Sequence, residues 1–114
     1  VSSLSFAALR RANVERFPLF KDRHGANAHC ENWTPAQCLQ ALVGEVGEYA
    51  NFRKKFERGD ITQDEFLHAA AKELADVQTY LDILALVLGI DLGQATIDKF
   101  NEVSSRIGVD VWLS

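Results

Sequence analysis

The chain has 114 residues and a formal net charge of −4, enough for one small domain but without the basic face that non-specific nucleic-acid binding requires. Its 47% hydrophobic and 25% charged residues are ordinary for a globular fold and exclude a disordered chain. Cys30 and Cys38 match neither zinc nor redox spacing, no apolar run reaches the length of a membrane span, and the N-terminus has no signal-peptide pattern, so a reduced, cytoplasmic protein with no membrane partner is expected.

Residues 3–17, SLSFAALRRANVERF, place Leu4, Ala7, Ala8 and Val14 at roughly helical spacing and predict a first helix. Residues 18–33, with Pro18 and Gly25, read as a loop. Thr34, Pro35 and Gln37 form a capping box with proline at the first helical position, opening a helix that runs to about Arg58 before Gly59. Thr62 and Glu65 open the next helix in the same way, and it continues to Leu88 before Gly89. Asp91 to Gln94 opens a last helix ending near Ile107, before Gly108. The expectation is one all-α domain over residues 1–114, with four helices of which the central two form a long antiparallel hairpin.

The first central helix carries an inward stripe at Cys38, Leu42, Glu45, Tyr49, Phe52 and Phe56, with Glu48 on its flank. The second has its stripe at Leu74, Val77, Leu81, Leu84 and Leu88, with Glu73 and Asp76 along the edge. Each helix therefore offers two carboxylates three residues apart. Glu48 and Glu73 are equally far from the turn, as are Glu45 and Asp76, so both pairs sit ~15–20 Å from it when the hairpin closes. Four acids brought together would repel and lose solvation. A hard divalent cation removes that cost, and Mg²⁺ (or Mn²⁺ in its place) suits oxygen ligands while keeping positions open for water and phosphate. The histidines His24, His29 and His68 do not supply the Glu-x-x-His motifs of a ferritin-like di-iron site. Gly44 and Gly47 either remove bulk beside the carboxylates or let another helix approach closely.

The stretches GEVGE (44–48) and KELAD (72–76), with WTPAQCLQAL before them and KFNEVSSR (99–106) after, resemble the MazG-like nucleoside triphosphate pyrophosphohydrolases of the all-α NTP pyrophosphatase superfamily. The likeness spans about Trp33 to Arg106. It implies that Glu45, Glu48, Glu73 and Asp76 hold Mg²⁺ and that an NTP or dNTP is cleaved between its α and β phosphates, releasing the monophosphate and pyrophosphate. Nucleotide-pool house-cleaning is one role consistent with that reaction. Glu45 or Glu48 is the candidate to orient or deprotonate the attacking water. The resemblance also points to Lys99, Asn101 and Arg106 as phosphate ligands.

Arg53, Lys54, Lys55 and Arg58 read chiefly as favourable charge at a helix C-terminus, with Lys54 also in reach of a phosphate. Trp33 and Phe20 are candidates to stack on a base, Trp33 equally a hydrophobic staple. Tyr49, Phe52, Phe56, Ile83, Leu86 and Val87 are expected to seek partners, and the resemblance implies a homodimer or a dimer-of-dimers tetramer forming an oligomeric helix bundle. Two other functions fit the same residues: phosphoribosyl-ATP pyrophosphohydrolase and a non-catalytic helical binding module.

Overall fold

Two capping boxes build the centre of the molecule. In the computed structural model, which describes residues 2–20 and 33–114, Thr34 accepts from the Gln37 amide at 3.2 Å while Gln37 Oε1 accepts from the Thr34 amide at 2.8 Å. Thr62 and Glu65 repeat the exchange at 3.1 and 3.0 Å. These bonds satisfy amides that a helix start otherwise leaves unpaired, and they fix both starts of the hairpin. They also hold the Glu65 carboxyl below the usual range.

The described residues form four α-helices and no strand. Helix α1 is Phe6–Arg16, followed by a 3-10 turn at Phe17–Leu19; α2 is Pro35–Glu57, α3 Gln63–Leu88 and α4 Leu92–Ile107. Both hairpin helices end on a left-handed glycine, Gly59 at φ 82° and Gly89 at φ 72°. After each, the next amide reaches back to a carbonyl five residues earlier, Asp60 to Lys55 and Ile90 to Ala85. The second stop bends the chain sharply, so α4 leaves α3 at 101°. Among the described residues no single helix is long and apolar enough to cross a membrane.

The hairpin of α2 and α3 dominates the packing, with α1 laid against α3 and α4 touching α1. At the open end of the hairpin Phe17, Cys38 and Ile83 are buried together, with Phe20, Trp33, Tyr80, Leu84 and Val87 around them. Near the turn Phe66 stacks on Phe56 at 5.0 Å and meets Tyr49 at 6.0 Å, with the Arg53 guanidinium over the Phe56 and Phe66 rings.

Three sequence expectations change here. Leu4 lies before α1, and it, Ala7 and Val14 are exposed; the helix instead buries Asn13. Its partner is polar: Asn13 Nδ2 donates to Asp82 Oδ2 at 2.9 Å, Arg10 Nε donates to the same carboxylate at 3.1 Å, and Arg10 also donates to the Ile90 carbonyl at 2.7 Å. Second, Leu74, Leu81 and Leu88 are exposed, while Val77 and Leu84 of the same expected stripe turn inward. The apolar arc of α3 is wider than α2 can cover, and seven-residue spacing alone does not say which half meets the neighbour. Third, of the residues expected to seek partners Ile83 is fully buried within this chain, while Tyr49, Phe52, Phe56, Leu86 and Val87 keep part of their surface exposed. His24, His29, Gly25 and Cys30 lie outside the described residues.

Candidate metal centre

The hairpin register brings Glu45, Glu73 and Asp76 together, with one carboxylate oxygen of each within 4.8 Å of the others. Glu45 lies on the inward stripe of α2 and Glu73 opposite it on α3; both are half-buried, and Asp76 opens to solvent. Glu48 is exposed at the rim, close enough to act on both glutamates. The hairpin thus draws all four expected carboxylates to one region, three of them in ligand range of one another.

The electrostatics are those of acids without counter-charge. Burial pushes the Glu45 carboxyl up to about 7, helped by its hydrogen bond with Glu73 and by the negative charge of Glu48, Asp76 and Glu73. Glu73 is also raised, by lost solvation first and by Glu48 next, while its contact with Glu45 pulls the other way. Even so, Glu45 Oε2 and Glu73 Oε2 are buried without a hydrogen-bond partner. Unpaired buried carboxylate oxygens are costly. Among the described residues, no ion pair joins an arginine or lysine to any of the three acids.

That donor set fits a hard divalent cation: all oxygen, two orphaned lone-pair sites, and an exposed side for water or ligand. The adjacent helix surface is open as well. A Cβ built on Gly44 or Gly47 meets nothing within 4 Å, so within this chain neither glycine relieves crowding.

The other expected site residues lie elsewhere. Lys54 is exposed in the last turn of α2, and Lys99 pairs with Glu102 at 3.0 Å. Asn101 clamps the C-terminal tail, donating to the Leu113 carbonyl at 2.9 Å and accepting from its amide at 2.8 Å. Arg106 is exposed in the last turn of α4. Trp33 and Phe20 both sit edge-on to Phe17, about 6 Å away, as walls of the buried cluster. Sequence reasoning missed the Arg10–Asp82–Asn13 network. Its signal was Asp82 within the apolar run YLDILALVL, where a buried acid demands a donor.

A cleft of about 880 Å³ lies away from the acidic cluster, between α1, the end of α3 and the start of α4. Its one acid from α3, Asp82, is already paired with Arg10. The cleft favours one place and uncompensated chemistry the other, and the chemistry decides for the acidic cluster. No protein-family model matches this chain, and neither a characterised protein nor a solved structure matches it.

Proposed function

We propose that the protein is a Mg²⁺-dependent nucleoside triphosphate pyrophosphohydrolase of the MazG-like kind, in which Mn²⁺ can substitute. The observation that carries the metal-dependent part is the pair of orphaned oxygens, Glu45 Oε2 and Glu73 Oε2, inside an acidic cluster with no cation of its own. The nucleotide part rests on the Glu-x-x-Glu and Glu-x-x-Asp motifs that meet across the hairpin.

In this reading Glu45, Glu73 and Asp76 hold the cation, with Glu48 at the rim. A cation held there would neutralise phosphate oxygens and lower the pKa of a bound water. Water attacks the α phosphorus, the bond from that phosphorus to the α–β bridging oxygen breaks, and pyrophosphate leaves. Glu45 or Glu48 would orient the water and accept its proton. The open side beside Gly44 and Gly47 leaves room for the triphosphate. Lys54, Lys99, Asn101 and Arg106 remain the candidates to meet its outer phosphates, and Trp33 or Phe20 its base.

The test is pyrophosphate release from a panel of ribo- and deoxyribonucleoside triphosphates with Mg²⁺ or Mn²⁺. Release by the wild type that is lost in Glu45→Gln and Glu73→Gln, both folded, is the expected result. Silence across the panel from a protein that binds Mg²⁺ would sink the nucleotide reading while sparing the metal site.

A further inference from the structure

The cations read from the sequence as phosphate ligands do not stand at the acidic cluster, and the geometry of the hairpin identifies one that does. Glu45 and Glu73 face each other across α2 and α3. Every other position is then placed by its turn from that line, about 100° per residue, and by its rise of ~1.5 Å per residue from the hairpin turn. Because the helices are antiparallel, equal turns in the same sense lead to the same side of the hairpin. Glu48 and Asp76, each three residues beyond a facing glutamate, both lie about 60° to one side and are exposed there. That side is the acidic rim.

Lys72 lies on the same side. It precedes Glu73 by one residue, about 100° round from it, and precedes Asp76 by one turn, so it shares a face with Asp76. Its height along the hairpin is that of Glu48 to within ~1.5 Å. The other described cations of the hairpin and of α4 fail on side, height or freedom. Lys54 is nine residues beyond Glu45, about 180° round, on the far side of α2. Lys55 is on the right side but seven residues nearer the turn than Glu48, ~10 Å along the axis, with its ammonium over the Phe52 ring. Arg53 and Arg58 are held by Glu57 and Asp60. Lys99 and Arg106 lie beyond the 101° bend into α4.

Lys72 is exposed and, among the described residues, makes no ion pair. Local geometry explains its freedom. A lysine one turn before an acid is the weaker order for a helical pair, and residues adjacent in sequence do not face each other, so neither Asp76 nor Glu73 holds the ammonium strongly. The loaded site has a use for it. The four carboxylates of the cluster outweigh the two charges of a divalent cation, so the rim stays negative where an anionic triphosphate must approach. An ammonium on a flexible stem offsets that repulsion and takes no ligand position, because it donates hydrogen bonds and accepts none.

We infer that Lys72 is a phosphate-binding residue of the acidic rim, its ammonium donating to the phosphates of a metal-bound triphosphate beside Glu48 and Asp76. The inference rests on the reading of the cluster as a metal and triphosphate site, and it adds a cation that the sequence motifs alone did not single out.

The experiment is calorimetric titration of the whole chain with inorganic tripolyphosphate in excess Mg²⁺, a probe with phosphates but neither base nor sugar. Lys72→Ala, an exposed position changed to the best helix former, should keep the fold. It should bind the probe roughly tenfold more weakly, the loss expected of a charge-assisted hydrogen bond. That deficit should shrink as salt is raised. Lys72→Arg should restore most of the binding, and Lys55→Ala should bind like the wild type. Mg²⁺ alone should bind Lys72→Ala no more weakly than the wild type, because the lost charge repelled the cation; a merely structural role would weaken both. A Lys72→Ala variant that binds tripolyphosphate as tightly as the wild type, or a wild type that holds Mg²⁺ and no tripolyphosphate, would overturn the inference. A chain that binds the probe through Lys72 yet releases no pyrophosphate from nucleotides would keep the inference and lose the proposed activity. An active chain indifferent to Lys72→Ala would do the reverse.

Discussion

Helix α3 carries acids against its neighbours at two levels about two turns apart, and the fold treats them in opposite ways. Asp82 is 1% exposed and meets the Arg10 guanidinium and the Asn13 carboxamide; Arg10 in turn secures the Ile90 carbonyl at the bend into α4. Glu73 feels Glu48, Glu45 and Asp76, and among the described residues its Oε2 has no hydrogen-bond partner. A buried acid with its own donors is a structural joint, here between α1, α3 and the turn. An acid surrounded by acids raises the energy of the folded chain unless something from outside supplies the charge. The same helix therefore carries a self-sufficient polar contact and an uncompensated acidic one.

Breaking each level separately gives the largest expected effect. Arg10→Ala leaves Asp82 buried without its cation and should cost about 3 kcal/mol in urea denaturation, at the low end for a broken buried pair because Arg10 itself is partly exposed. Glu73→Gln removes repulsion and should leave metal-free stability unchanged or raised. A loss for Glu73→Gln as large as that for Arg10→Ala would erase the contrast.

Next comes the cation. Saturating Mg²⁺ should raise the wild-type melting temperature, since a ligand held only by the folded state stabilises it by ~2.7 kcal/mol at a hundredfold excess over Kd. Glu45→Gln and Glu73→Gln should lose that gain. Asp82→Asn, destabilised as it is, should keep it. No shift in the wild type, with calorimetry also silent, would remove the metal site.

Much of this contrast was legible in the sequence, for different reasons at different residues. The helix limits followed from local chemistry: Thr34 with Gln37, Thr62 with Glu65, and the glycines at 59 and 89 act on their own few neighbours. The acidic cluster was legible because an antiparallel hairpin with a known turn fixes which residues share a height. Helical spacing placed Cys38, Leu42, Glu45, Tyr49, Phe52 and Phe56 correctly on the inward face of α2. It failed on α3, where apolar residues cover so much of the circumference that Leu74 and Val77 look alike in sequence. It failed on α1 as well, because apolar spacing ignores a face whose anchor is Asn13 and Arg10. Those two depend on Asp82, some seventy residues away, and no local pattern contains that distance.

Glu45 offers a finer test through pH. Its carboxyl titrates at about 7 in the folded chain against an ordinary 4.5. Between those values the folded state holds a proton that the unfolded state releases, so this group's contribution is fully present below about pH 4.5 and is lost as pH rises through about 7. Mg²⁺ requires the carboxylate and should bind more tightly over the same interval, releasing a proton. Denaturation with and without Mg²⁺ at both ends of the interval should show the two trends crossing. The change should be smaller than the metal effect because the cluster opens partly to solvent. Glu45→Gln should flatten the pH dependence; a wild type equally flat would mean that Glu45 does not carry the proton.

The smallest effect separates stability from use. Gly44 and Gly47 sit in mid-helix, where each weakens α2 by about 0.5–1 kcal/mol relative to alanine. With nothing within 4 Å of either added Cβ, Gly44→Ala and Gly47→Ala should each stabilise the chain by about that amount. Gly44 lies one turn before Glu48, so the space it leaves borders the acidic cluster. If a triphosphate occupies that space, the alanines should raise the melting temperature and lower pyrophosphate release together. Opposed signs of that kind do not arise from a packing defect. Two stabilised variants with the wild-type rate would instead show that the glycines serve something other than the acidic site.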